Sequence, residues 1–142
     1  MLIGPLALIT AAAFTGAAIY VTLAEQPARL VLGDDALLRQ WQSSYPRAAV
    51  MQASLAAVSA LLGVAAYWSS ADWRWLAGAV LIFANLPYTL LVILPTNKRL
   101  QALVSAAADG STRRSIETWA RLHLVRNVLG LAAIMAYLWA GR

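Results

Sequence analysis

Hydrophobic positions along this chain gather into four long runs separated by polar stretches. The runs cover residues 2–24, 47–68, 73–94 and 119–140. An α-helix of about 20 apolar residues crosses the hydrocarbon core of a bilayer, so each run is long enough to span a membrane. We therefore predict an all-α fold, an integral membrane four-helix bundle, with residues 1–142 forming a single domain.

The connections between the runs differ in length. Asp34 can cap a short interfacial helix over residues 36–43, after which Pro46 suits the first turn of the second span. The amphipathic pattern of residues 97–108 predicts a second interfacial helix. The connection at residues 69–72 is short, so the second and third spans should be antiparallel neighbours.

Individual residues mark where these helices bend, begin and end. Pro27 predicts a kink near the end of the first helix, which should stop at Gly33. Pro87 predicts a second kink, in the third span. Ser111 or Thr112 can cap the last helix.

Composition narrows the classes of function. The chain is 61% hydrophobic and 12% charged, with a mean hydropathy of +0.66, which is typical of a membrane protein. It has no cysteine, which excludes disulfides, thiolate metal sites and cysteine nucleophiles. A single histidine excludes a histidine-rich metal centre within one chain, but it leaves haem ligation through His123 open.

The net charge of +5 is better explained by membrane orientation than by nucleic-acid binding, so we expect no nucleic-acid partner. Basic residues concentrate in the first and third connections, which predicts that these are cytoplasmic and that both termini lie outside the cytoplasm. Tryptophans at both ends of the spans predict aromatic belts. The outer belt would comprise Trp68, Trp73, Trp75 and Trp139, and the inner boundary Trp41 and Trp119.

The last span carries a polar face. Trp119, His123, Arg126, Asn127 and Gly130 lie at 0, +4, +7, +8 and +11, which is one side of an α-helix. Ionisable residues that enter a bilayer usually have a function, because burying their charge is costly. This face is therefore the first candidate for a site.

The other three spans contribute polar side chains at the same depth. His123 precedes Trp139 by 16 residues, or about 24 Å along a helix, which puts it just inside the cytoplasmic boundary. The residues that reach this level from the first three spans are Glu25, Tyr45, Gln52 and Asn97. In a small bundle such side chains should face inward, away from lipid.

One interpretation of this polar level is structural. Glu25 could pair with Arg29 or with Arg126, and Asn97 or Gln52 could bridge helices. Arg29 and Arg121 are then snorkelling residues at the membrane surface.

A second interpretation is a catalytic site. His123 could act as general base, and Arg126 or an amide could stabilise a developing oxyanion. Glu25 and Asn97 complete the catalytic candidates. The candidate contacts for a flat apolar substrate are Trp119, Tyr45, Gln52, Tyr88 and Asn127, although packing is an alternative role for the three aromatic residues.

A third interpretation is a haem or quinone pocket. His123 could supply one axial ligand to haem iron. The chain has no second histidine for a bis-histidine cytochrome, and no Cys-x-x-Cys-His attachment motif.

Several short motifs make the chain resemble the anthrone oxygenase-like membrane family, which is widespread in bacteria. Those in the second half of the chain are the most specific, and the resemblance covers nearly all of it. The matching segments are Glu25-Gln-Pro27, Tyr45-Pro46, Met51-Gln52, Pro95-x-Asn97-x-x-Leu100 and Trp119-x-x-Leu122-His123-x-x-Arg126-x-x-x-Gly130.

The resemblance implies a four-helix membrane bundle in the bacterial inner membrane. It also implies a cofactor-independent oxygenase, because characterised fungal members oxidise anthrones to anthraquinones without a recognisable metal or flavin motif. The residues it points to are His123, Arg126, Trp119, Asn97 and Glu25. The substrate would be a flat anthrone- or hydroquinone-like aromatic.

The alternative is a non-enzymatic membrane module. It would bind haem, a quinone, a lipid or a partner membrane protein. The small residues of the first span also permit a homo-oligomer.

Overall fold

Four long helices make up the computed structural model, which describes residues 2–142. They are α1 (Ile3–Leu30), α2 (Asp34–Ser70), α3 (Trp73–Ala102) and α4 (Gly110–Ala140). Each is long and apolar enough to cross a membrane, which confirms the predicted four-helix bundle and indicates an integral membrane protein.

The helices form a closed ring. Each packs against the next along the chain, and α1 also packs against α4. The α2–α3 pair confirms the predicted antiparallel hairpin, which turns at Ala71 in the left-handed conformation (φ 58°). Large apolar side chains such as Leu61, Val128 and Met135 remain on the outer surface, as expected for faces that contact lipid tails.

The two predicted interfacial helices are not separate elements. Residues 36–43 form the first turns of α2, which continues through Pro46. Leu37, Leu38 and Trp41 are fully buried in this segment, and their packing offsets the roughly 3 kcal/mol that a helix-interior proline costs. In the same way α3 continues to Ala102 because Leu100 is buried, and only Ser105–Ala107 follow as a 3-10 turn.

Two π-helical turns interrupt the helices where prolines follow. One covers Val21–Glu25 in α1, and the other covers Thr89–Ile93 in α3. A proline ring collides with the carbonyl four residues earlier, and for Pro27 and Pro95 that carbonyl lies inside a π turn. The wider turns therefore accommodate the prolines without ending the helices.

The start of α4 is capped differently from the prediction. Asp109 is the N-cap residue, and its carboxylate accepts hydrogen bonds from the backbone N–H groups of Ser111 and Thr112. The Thr112 side chain completes the capping box. A further bond from the Ser111 hydroxyl contributes most to lowering the pKa of Asp109 below its ordinary value.

The turn between α1 and α2 is held by α4. Arg113 donates to Asp34 Oδ1 at 2.7 Å and to the carbonyls of Leu30 and Leu32 at 2.8 and 2.6 Å. Gly33, predicted as the end of the first helix, instead precedes α2 as its N-cap with extended backbone. Asp34 therefore serves as a partner for Arg113 and provides no side-chain cap to α2.

The tryptophans separate into two groups. Trp68, Trp73 and Trp139 are exposed on the outer surface at one end of the bundle, as the outer belt predicts. Trp75, the fourth predicted member, is half-buried and packs against Tyr137 with ring centroids 5.7 Å apart. Trp41 and Trp119 are buried, so the predicted inner boundary of belt residues is wrong. They face inward and pack edge to face, with ring centroids 5.7 Å apart.

Candidate functional site

A small cavity lies among the four helices, toward the end of the bundle that carries the α1–α2 and α3–α4 connections. Its volume is about 20 Å³, and we call it the polar cavity. It brings together most of the candidate site residues from all four helices. Those that line it are Glu25, Tyr45, Gln52, Asn97, Trp119, His123 and Arg126.

His123 is almost fully buried on α4. Its Nε2 lies 3.2 Å from the carbonyl oxygen of Ala18, and the alanine there lets α1 approach closely. A carbonyl only accepts hydrogen bonds, so Nε2 carries a proton, and in the neutral form of the ring Nδ1 carries the lone pair. Nδ1 has no hydrogen-bond partner among the described residues, which leaves it free to accept a proton.

Arg126 is 7% exposed, and its charge has no carboxylate partner. Among residues 2–142 no carboxylate oxygen lies within 4.0 Å of its guanidinium. The guanidinium carbon instead lies 5.4 Å from the centroid of the Phe14 ring. An uncompensated cation in such a place favours an anionic ligand or a developing negative charge.

Glu25 pairs with Arg29, so the alternative pairing with Arg126 is not formed. The carboxylate lies 2.5 Å from Arg29 Nη2 and accepts a second bond from Gln40 at 3.1 Å. Arg29 also donates to Gln26 and Ser44, each at 3.2 Å. These groups neutralise and hold the Arg29 charge inside the bundle.

Arg29 corrects one sequence-based expectation. It is 2% exposed and lines the polar cavity, so the prediction that it snorkels to the membrane surface is wrong. Its guanidinium lies 5.7 Å from the ring centroid of Trp119, which in turn stacks on His123 at 5.2 Å. Arg121, predicted to snorkel as well, is exposed.

Tyr45 and Asn97 join α2 to α3 across the cavity. Asn97 Nδ2 donates to the Tyr45 hydroxyl at 2.7 Å, which is the predicted interhelix bridge. The Tyr45 ring stacks on Trp41 with centroids 4.8 Å apart. Asn97 Oδ1 and Gln52 Oε1 have no hydrogen-bond partner among the described residues, so both remain able to accept one.

Two candidate residues lie outside the cavity wall. The Tyr88 hydroxyl donates to the carbonyl of Leu122 at 2.9 Å and ties α3 to α4. Asn127 Nδ2 donates to Thr22 Oγ1 at 2.8 Å and ties α4 to α1. In the structure both side chains brace helices around the site.

Several residues of the cavity wall do not stand out in the sequence. Val21 and Ile93 reach the cavity from the two π turns, and Ala48 and Ala49 leave space beside Tyr45. Ser44 contributes a hydroxyl that binds Arg29. The adjacent Tyr45-Pro46 motif is the nearest sequence signal, but Pro46 predicts the start of a helix, whereas α2 continues through it.

The size and chemistry of the cavity limit what it holds in this arrangement. About 20 Å³ accommodates roughly one water molecule, whereas pockets for drug-sized ligands measure about 300–1,000 Å³. A tricyclic substrate or a porphyrin therefore requires side chains or helices to move. Within residues 2–142, no group of three or more His, Cys, Asp or Glu side chains is placed to hold a metal ion.

Comparisons with known proteins agree with the resemblance seen in the sequence. The family model described as anthrone oxygenase matches residues 41–136, a range that includes His123 and Arg126 and begins after Glu25 and Arg29. An anthrone oxygenase from Claviceps purpurea (strain 20.1) is 33% identical over 114 residues, 71% of this chain. The alignment covers 66% of that relative's length. No solved structure matches the chain.

Proposed function

Because this chain belongs to the anthrone oxygenase family, we propose that it oxidises a flat, anthrone- or hydroquinone-like aromatic with dioxygen at the polar cavity. One observation carries the proposal. His123 and Arg126 line the same cavity, and neither His123 Nδ1 nor the Arg126 guanidinium has a hydrogen-bond or ion-pair partner among the described residues. A proton acceptor and an uncompensated cation are the two groups that enolate chemistry needs.

The first step is removal of a proton. An anthrone has a benzylic CH₂ group whose acidity is raised by conjugation to a carbonyl. His123 Nδ1 accepts one of these protons, and Arg126 stabilises the negative charge that develops on the carbonyl oxygen. The product is an electron-rich anion that reacts with dioxygen without a metal or a flavin.

The second stage forms and breaks oxygen bonds. The anion reduces dioxygen and forms a C–O bond, and the imidazolium returns its proton to the peroxide. His123 then removes the second proton from the same carbon, the O–O bond breaks, and the leaving hydroxide takes a proton to form water. The balance is one anthrone and one dioxygen converted to one anthraquinone and one water.

The remaining wall residues orient the substrate. Trp119 and Tyr45 supply aromatic side chains to the wall, and the free carbonyl oxygens of Asn97 and Gln52 can accept bonds from phenol groups. The orientation predicted from the basic residues puts this cavity in the cytoplasmic half of the membrane.

The experiment compares alanine variants of the full chain in lipid nanodiscs, with oxygen uptake and anthraquinone absorbance as readouts. His123→Ala should lower kcat by about 10²–10⁴-fold through loss of the base. Arg126→Ala should lower it by about 10²–10³-fold through loss of the oxyanion partner. Arg121→Ala, which changes an exposed arginine of the same helix, is the matched control and should keep the wild-type rate.

Circular dichroism and the unfolding temperature are measured for each variant to check that it is folded. Folded His123→Ala and Arg126→Ala proteins that oxidise anthrone as fast as Arg121→Ala would rule out the proposed mechanism. An absorption spectrum of the same preparation tests the haem alternative. A Soret band that His123→Ala abolishes would favour haem ligation, whereas a colourless protein that oxidises anthrone supports cofactor-independent chemistry.

A further inference from the structure

A groove runs between α1 and α2 on the outer surface of the bundle, at the level of the polar cavity. Its volume is about 300 Å³. The groove and the cavity share part of their walls, so they are neighbouring spaces. The shared residues are Val21, Glu25, Ala48 and Gln52.

The shape of the groove follows from its residues. Ala17 and Ala48 are small and leave a depression between the helices. Tyr20 and Met51 are 61% and 49% exposed and line the groove at the outer surface. The groove is mainly apolar where it faces lipid, and its polar residues are Glu25, Gln52 and the exposed Arg47.

The sizes of the two spaces suggest a route. The polar cavity of about 20 Å³ is too small for three fused rings, whereas the groove has the volume for them. Another lipid-facing groove, between α2 and α3, contains Ala57 and Leu61 and shares no residue with the polar cavity. Of these two grooves, only the one between α1 and α2 borders the unpartnered polar atoms.

The side of the groove formed by α1 contains the π turn of that helix. Val21 and Glu25 are its first and last residues, so both shared α1 residues belong to a turn that departs from regular helix. Glu25 is held from the connection side by Arg29 and Gln40. On the α2 side, Gln52 Oε1 has no hydrogen-bond partner among residues 2–142, so displacing Gln52 breaks no bond of that atom.

We propose that flat apolar aromatics enter the polar cavity sideways from the bilayer, through the groove between α1 and α2, by displacing Gln52 and its neighbours in the shared wall. The inference rests on the proposed function for the identity of the ligand. Lipid partitioning concentrates such molecules in the membrane, and a lateral route spares them a passage through water.

The test measures the rates of ligand entry and exit. Anthraquinone binding to the full chain in nanodiscs is followed by stopped-flow quenching of tryptophan fluorescence, since Trp119 lies in the cavity wall. Ala17→Phe fills the groove without lining the cavity. It should slow association and dissociation by the same factor, about tenfold for each 1.4 kcal/mol of added barrier, and leave Kd unchanged.

Two further variants complete the design. Ala57→Phe places the same bulk in the groove between α2 and α3 and should leave both rates at the wild-type values. Met51→Ala removes a side chain at the opening and should speed both rates, which keeps the proposal testable if Ala17→Phe does not fold.

Several outcomes would overturn the route. They are wild-type rates in both Ala17→Phe and Met51→Ala, equal slowing by Ala57→Phe, a weaker Kd with an unchanged association rate, or no quenching of the wild-type protein. The proposed function has its own readout, oxygen uptake. A protein that oxidises anthrone but has wild-type rates in the groove variants loses the route alone, and one that binds anthraquinone through the groove without oxidising anthrone loses the function alone.

Discussion

Two buried arginines face the same cavity, and their charges are balanced differently. Arg29 has a carboxylate at 2.5 Å and further bonds to two side chains. Arg126 has no carboxylate partner within the described structure, and its guanidinium carbon lies 5.4 Å from the centroid of the Phe14 ring. A buried charge without a partner destabilises a fold, so its presence beside an unpaired imidazole nitrogen is better explained by binding or catalysis than by stability.

The close approach of α1 and α4 also depends on single residues. A Cβ added at Gly130 would lie 2.5 Å from Thr15 Oγ1, and that hydroxyl is anchored to the Ala11 carbonyl at 2.7 Å. Gly130→Ala should therefore force α4 away from α1 and lower the free energy of unfolding by about 1–3 kcal/mol.

Thermal unfolding in detergent checks this effect. Gly16→Ala is the matched control, because a Cβ there meets no atom within 4 Å. It should be neutral or slightly stabilising, since alanine favours a helix over glycine. If the two variants unfold at the same temperature, the close approach at Gly130 contributes nothing to stability.

At the scale of elements, the two π turns explain how the helices place the site. Each lies just before a proline, and both supply residues to the polar cavity. A π turn adds a residue without ending the helix, so it rotates the following side chains by about 100° relative to a regular α-helix. Arg29 follows such a turn and lies inside the bundle.

The connection between α1 and α2 depends on one side chain of α4. Arg113→Ala removes the bonds to Asp34 and to the carbonyls of Leu30 and Leu32. Hydrogen bonds to a charged group contribute about 1.5–3 kcal/mol each when well buried, and this group is about a quarter exposed, so we expect a loss of about 1–3 kcal/mol.

Hydrogen exchange of the turn at residues 31–33 locates the effect, and chemical denaturation gives its size. Arg114→Ala is the matched control, because Arg114 is exposed and forms no ion pair among the described residues. Equal exchange rates in the two variants would contradict the role given to Arg113.

At the scale of the whole molecule, the ring of helices has an apolar outer surface and a polar interior at one end. The excess of basic residues at that end predicts that it faces the cytoplasm. In that predicted orientation, the polar cavity and the groove would lie in the inner half of the bilayer.

The natural absence of cysteine makes the orientation simple to test. In intact cells, a membrane-impermeant maleimide should label Ser69→Cys, at the end of α2, and leave Ala106→Cys, in the α3–α4 connection, unlabelled. Labelling of both after cell disruption controls for reactivity. Labelling of Ala106→Cys alone in intact cells would show that the topology is the opposite of the predicted one.

The sequence by itself determined the fold class, the pairing of α2 with α3 and the gathering of polar residues at one level. These features depend on hydropathy, run length and the spacing of residues along a helix, all of which are local properties. These local properties were sufficient to predict that one set of residues lies at the same level, and in the structure all of its members line one cavity. They are His123, Arg126, Glu25, Asn97, Tyr45, Gln52 and Trp119.

Only the tertiary structure decided how those side chains are partnered. In the structure Glu25 pairs with Arg29 and not with Arg126, and Arg29 is buried although the sequence predicts it at the surface. Tyr88 and Asn127 form hydrogen bonds between helices outside the cavity. The physical reason is that partner choice depends on helix rotation and separation. The π turns, the continuation through Pro46 and the contact of Gly130 with Thr15 set these quantities, and a regular period of 3.6 residues does not reveal them.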